Sequence, residues 1–346
     1  MVIAAGVLLM TIASSASGPQ VPHLLSETGL YVAGDLEVSS TASGGPAIDP
    51  RNRPYSPQYP LWTDGAQKTR WVYLPEGATI DVRNVDAWDF PAGTRFWKEF
   101  AFGGRKVETR MLWKAGEGAS DWVFAVYVWN DAQTDAVLGP EDGVPHAVEV
   151  APGKRHSIPA VADCRACHDG TRTEILGFTA LQLSTDRDPH VPHGEPLTEE
   201  MVTLKTLVAE KALRPLRAEL VTSPPRIAAE HPATRTVLGY LSANCGHCHN
   251  AQSSVANGAL RLLQPSSGAS MSDAAVATAL QRQTSWQIPG NAEGGTVLVR
   301  PGAPELSALL HRMRSRRPSS QMPPLGSVVQ DREAVELVEK WIEALP

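Results

Sequence analysis

The sequence predicts an α+β multidomain chain in which an antiparallel β-rich domain is followed by an all-α domain. Three observations carry that expectation. Short runs rich in aromatic and β-branched residues crowd residues 68 to 150, separated by glycine turns such as "FGGR" and "AGEG". Seven of the nine tryptophans (Trp62, Trp71, Trp88, Trp97, Trp113, Trp122 and Trp129) fall in or beside this stretch, where a β core would use them. From about residue 233 the apolar spacing turns helical and stays so to the end. At 346 residues two domains are the default expectation, and either is long enough to bury a core.

Residues 1–17, "MVIAAGVLLMTIASSAS", read as a secretory signal with a cut after Ala16, although no Lys or Arg precedes the apolar run. The run is short for a membrane span of about 20 residues, and no later segment is apolar enough to be one. Residues 18–67, ending in "DPRNRPYSPQYPLWTDG", have the proline and glycine content of an extended arm. Residues 68–185 form the β-rich domain, with strands expected at "TRWVYLP", "GTRFWKEFAF", "RKVETRMLWK" and "DWVFAVYVWND". Residues 186–232 form a helical linker, with a helix expected over 196–215 and a proline-punctuated end at "TSPPRIAAEHP". Residues 233–346 hold "TRTVLGYLSAN", "PELSALLHRMRSR" and "DREAVELVEKWIEAL", each amphipathic at helical spacing. A net charge of −6 argues against a nucleic-acid partner.

All four cysteines lie in two copies of one pattern, "CRACH" at 164–168 and "CGHCH" at 245–249. Three chemistries compete for Cys-x-x-Cys-His. Two Cys-x-x-Cys hooks could close a four-thiolate zinc site. A single thioredoxin-like redox pair would leave the trailing histidine without purpose. Covalent heme uses every part: Cys164 and Cys167, and again Cys245 and Cys248, each add to the vinyl groups of one porphyrin, while His168 and His249 bind the irons. Chance would supply one such motif on the order of once in a thousand sequences of this composition, and two far less often. The expected cofactors are two covalently attached heme c groups. Heme is attached on the oxidising side of bacterial membranes, which agrees with a secreted, periplasmic protein without a transmembrane segment in its mature form.

For the second heme the sixth ligand is sought downstream. Met322 in "SSQMPPLG" is the candidate, since two prolines stiffen a loop able to bend over the far heme face. Met313 reads as core filling, His311 as a weaker ligand and His247 as solvent-facing. A helix delivering the motif, a loop-rich middle and a closing helix are the parts of a small all-α cytochrome c domain. The first heme has no Met-Pro loop; His146, His156, His190, His193 and Met201 remain open as ligands, and its support must come from the β region before it.

The run "FPAGTRFWKEFAF…ETRMLWK…DWVFAVYVWN…CRACHDG" resembles the β-rich heme fold of cytochromes c′-beta and of the lysine-crosslinked enzymes that oxidise hydroxylamine, over roughly residues 68 to 180. Most of the mature chain is similar to a family of secreted bacterial diheme cytochromes, through "YPLWTDGAQKTRWVYLPEG", "GYLSANCGHCHNAQ", "VRPGAPELSALLHRM" and "MPPLG" among others. The resemblance implies a first heme that is five-coordinate or loosely capped, in a sheet-walled pocket. It also puts Lys114 near the position of a crosslinking lysine, although a solvated strand-end lysine is the commoner outcome. Lys98 and Arg110 are candidates to neutralise heme propionates. The expected function is electron transfer between redox partner proteins. The rival is an enzyme whose first heme reacts with peroxide, NO or hydroxylamine. Diheme peroxidases are a poorer match, because both of their heme domains are helical.

Overall fold

A computed structural model describes residues 19–33, 46–253, 260–266, 270–290 and 296–346 of the chain. The secretory signal expected at 1–17 lies outside these residues. The N-terminal half runs β1 (Arg53–Pro54), β2 (Gln67–Tyr73), β3 (Ile80–Asp81), β4 (Arg95–Phe102), β5 (Arg105–Lys114), β6 (Trp122–Trp129), β7 (Ala136–Leu138), β8 (Val144–Ala151) and β9 (Lys154–Ile158). Then come α1 (Val161–His168), α2 (Leu204–Ala209), β10 (Leu213–Arg214) and α3 (Glu219–Thr222). The last part holds α4 (Pro232–Cys245), α5 (Ser270–Ala279), α6 (Ala308–Arg314) and α7 (Arg332–Ala344).

Six strands form one antiparallel sheet in the order β1-β2-β4-β5-β6-β7. Successive side chains on a strand point to opposite faces, so register sorts the sequence into two layers. Trp71, Trp97, Met111 and Ala125 align across the strands on one face, where Leu25, Leu30 and Tyr31 of the N-terminal arm cover them. Trp97 Nε1 donates to Thr28 Oγ1 at 3.1 Å, which gives the buried indole its partner. Val72, Phe96, Leu112 and Phe124 align on the other face, toward α1, Ile175 and Phe178. That second face is the wall on which the candidate site is built.

In the C-terminal part, Ala334, Val335, Val338, Trp341 and Ile342 of α7 are buried at helical spacing against α4 and α6. Asp331 caps α7 by accepting the Ala334 N–H at 3.2 Å.

Two expectations are corrected here. The α+β multidomain class, an antiparallel β-rich heme domain followed by an all-α cytochrome c domain, does not describe the chain. One large antiparallel sheet dominates, and residues 233–346 are not all-α. Backbone bridges join Leu280 to Val299, Gln283 to Val297 and Val297 to Ser307 between the helices. The cause is local: β-branched "TVLV" beside "RPG" and "QIPG" favours extended pairing and turns over another helix. The helix expected over 196–215 is also far shorter. Thr203 caps it by accepting the Thr206 N–H, so α2 begins only at Leu204. Lys211 at φ 56° turns the chain out, and Leu213–Arg214 pairs in parallel with Ile80–Asp81.

Candidate functional site

The first motif leaves β9 through Pro159 and enters α1, which packs on β6. Phe124 of β6 meets the His168 ring edge-on at 5.3 Å. His168 Nδ1 hydrogen-bonds to the Glu174 carbonyl, which fixes the tautomer and leaves Nε2 as the nitrogen that could hold a metal. Burial is the main cause that pushes His168 down to about 4, so the ring is neutral, as a metal ligand must be. Glu174 thus acts on His168 through its backbone carbonyl.

The second motif ends α4. The His249 N–H bonds to the Cys245 carbonyl at 2.8 Å, turning the chain so that histidine follows the cysteines at once. The Arg312 carbonyl accepts the Met322 N–H at 3.0 Å, and burial first, then the Arg312 guanidinium, lowers the His249 pKa.

The N-terminal arm brings the two motifs together. Tyr59 lies flat against Gly239 of α4, where even a Cβ would meet its ring at 1.9 Å. Asn244 accepts the Trp62 N–H at 2.7 Å and donates to the Pro60 carbonyl at 3.3 Å. Beyond the motifs, Asn250 Nδ2 donates to the carbonyls of Gly170 (2.9 Å), Gly246 (2.9 Å) and His247 (3.0 Å), stitching one loop to the other. As a result the ligand atoms of Cys167, His247 and Cys248 lie within 4.8 Å of one another. His247 is therefore 7% exposed rather than solvent-facing, and its Nδ1 has no partner among the described residues. Close packing of the second motif against the first is what buries it.

A cavity of about 870 Å³ opens beside the first motif, within the size range of cofactor sites. Cys164, Cys167 and His168 line it, with Trp62, Pro323 and Gly326 from the arm and the Met-Pro loop. On its wall His156 sits between Asp64 (2.9 Å) and Glu108 (3.3 Å). Burial opposes the imidazolium, but the two carboxylates outweigh it and raise its pKa. Burial likewise opposes the Glu108 carboxylate, yet Arg110 and His156 hold it down at about 2. Asp64 Oδ1 also accepts the Val328 and Val329 N–H groups at 2.7 and 3.0 Å, so the arm joins His156 of β9 to the loop after Met322.

Other candidates end elsewhere. Both His156 nitrogens are engaged, His190 and His146 are exposed, and His193 binds Asp331 at 3.0 Å. His311 bonds to the Glu305 carbonyl, and Met313 is in the core. Lys114 is fully buried, not solvated, because its Nζ donates to the Gly118 and Ala119 carbonyls at 2.7 and 3.2 Å. It closes the β5–β6 turn and is not part of the cavity wall.

The donor set discriminates between cofactors. A four-thiolate zinc site needs the thiols to converge. Among the described residues only Cys167 and Cys248 meet, with His247, while Cys164 and Cys245 stand apart. Burial raises both of those thiols, Cys245 to about 12, whereas the Cys167 hydrogen bond lowers Cys248, so Cys167, His247 and Cys248 are the three that could share a metal ion. A cavity beside Cys164 and Cys167, with the His168 tautomer set, fits a porphyrin. No protein-family model, curated protein or solved structure matches this chain. Among the described residues no helix is long and apolar enough to cross a membrane.

Proposed function

We propose that the protein is a periplasmic diheme c-type cytochrome that passes electrons between redox partner proteins. One heme c is held by Cys164, Cys167 and His168, the other by Cys245, Cys248, His249 and Met322. The observation that carries this reading is the pairing of the two Cys-x-x-Cys-His segments, Cys167 against Cys248, by Asn250 and the Tyr59 arm. Heme iron supplies one-electron chemistry when bound. The protein's part is orientation and exclusion of water: Glu174 sets the His168 ring, Phe124 packs it, and Arg312 anchors the Met322 backbone. Two redox centres attached at touching segments are placed for exchange with each other before either meets a partner.

A second reading has its own observation. The cavity beside His168 is large and its wall carries ionised groups, which suits a small reacting ligand such as peroxide, NO or hydroxylamine. Carbon monoxide added to the dithionite-reduced protein separates the two. In a pure carrier neither Soret band shifts and reductive titration takes up two electrons per chain. A prompt shift of one heme's band overturns the carrier reading in favour of a reactive first heme.

A further inference from the structure

The register of the sheet places three cations in one row on the cavity face. Arg70 of β2 pairs with Lys98 of β4, and Lys98 pairs with Arg110 of β5. All three line the cavity beside His168. Like charges directly opposite on neighbouring strands destabilise a sheet, and burying them adds to the cost. A row of this kind, where any alternating apolar residue would pack better, marks a functional position.

Carboxylates answer two of the three cations and leave the middle one, Lys98, without one among the described residues. Glu195 accepts from Arg70 Nη1 with both oxygens, at 2.9 and 2.8 Å. Glu108 takes Arg110 Nε and Nη2, at 2.9 and 2.6 Å, and is already shared with His156. Arg70 is 3% exposed, yet its Nη2 has no partner among the described residues. Lys98 has no carboxylate within ion-pair distance among them, and its Nζ lies over the Phe100 ring at 5.0 Å. Burial first, and then Arg70, Lys68 and Arg110, push the Lys98 pKa well below the usual lysine range. An anion joining Lys98 would offset that burial and that repulsion and favour its ammonium form.

We propose that Arg70, Lys98 and Arg110 form an oxyanion site in the cavity beside His168. The orphaned Arg70 Nη2 and the Lys98 ammonium are the two donors that await the ligand. The chemistry is that of a carboxylate or small inorganic oxyanion, for which guanidinium and ammonium donors are suited. Two sources supply it: the porphyrin's own carboxylates, or a free anion entering the cavity. Only the first source rests on the diheme reading.

The test uses the full mature protein with its hemes attached, and inorganic phosphate as the probe. Calorimetric titration and the midpoint potential of the first heme are measured for wild type, Lys98→Gln, Lys98→Met and Lys98→Arg. Heme content by mass is read on every sample, so failure of the diheme reading is seen separately. Saturable one-to-one phosphate binding, weakened tenfold or more by Lys98→Gln and Lys98→Met and retained by Lys98→Arg, supports a site for free anions. No phosphate binding, with a lower potential in both neutral variants and a wild-type potential in Lys98→Arg, supports the porphyrin carboxylates as occupant. Phosphate binding that survives both neutral variants unchanged overturns the proposal. So does no binding together with an unaltered potential. Two neutral side chains of different shape keep the result readable if one of them fails to fold.

Discussion

Gly239→Ala is the sharpest probe of how the arm holds the second motif against the first. In an exposed helix interior this change stabilises by about 1 kcal/mol. In α4 the added Cβ would fall 1.9 Å from Tyr59 Cε1, 2.3 Å from Cδ1 and 2.4 Å from Cζ. Tyr59 is 1% exposed and packs with Leu181, Ile227 and Leu238, so its ring has nowhere to retreat without opening that cluster. Overpacking a filled core costs about 1–3 kcal/mol, and expelling an aromatic ring costs about 3–5 kcal/mol. Contacts this short belong near 3 kcal/mol; after the helix gain, a net loss of about 2 kcal/mol remains. Urea denaturation followed by tryptophan fluorescence reads that loss as a lowered midpoint. In a Tyr59→Ala background the obstacle is gone, and Gly239→Ala becomes neutral or stabilising by up to about 1 kcal/mol. A stabilising Gly239→Ala in the wild-type background, or an equal cost in both, would refute the packing argument.

Three further outcomes are expected. Asp331 is the main cause that raises the His193 pKa, so that pair's stability is fully present below about pH 6.5 and is lost as pH rises through the folded value. The difference in urea midpoint between wild type and His193→Gln should therefore shrink above neutrality; a difference that grows with pH would contradict the pairing. The Glu108 carboxyl is depressed to about 2, so its stability is present above about pH 4.3 and is lost as pH falls toward 2. Glu108→Gln, which leaves Arg110 and His156 without their shared carboxylate, should cost about 3–5 kcal/mol at pH 7 and progressively less in acid. On the diheme reading, Met322→Ala lowers the midpoint potential of the proposed second heme and lets carbon monoxide bind there, whereas unchanged spectra would remove Met322 as a ligand.

Local physics made much of the architecture legible. The four strand runs alternate cleanly, because Trp71 and Val72, or Phe96 and Trp97, must part to opposite faces of a two-sided sheet. The periodicity of α7 and its Asp331 cap are equally direct. The region between α5 and α6 was not legible, since short extended segments find partners only through tertiary contact, as Val297 does with Gln283 and Ser307. The cysteines and histidines of the candidate site stand out by spacing alone. Their mutual contact does not, because Tyr59, Asn244 and Asn250 act from separate segments. Exposure misled at Lys114 and His247, whose partners lie in a loop and in the other motif. The Arg70–Lys98–Arg110 row is a property of register, which no single stretch of sequence displays.

The central claim is tested most directly by the intact mass of the mature protein, produced with heme-attachment machinery and washed with acid acetone to strip any unlinked porphyrin. The expected mass is that of the chain plus two hemes, falling to one heme when Cys164 and Cys167, or Cys245 and Cys248, are replaced by alanine. A chain that carries fewer than two covalent hemes, or that holds zinc at its cysteines instead, would contradict the account.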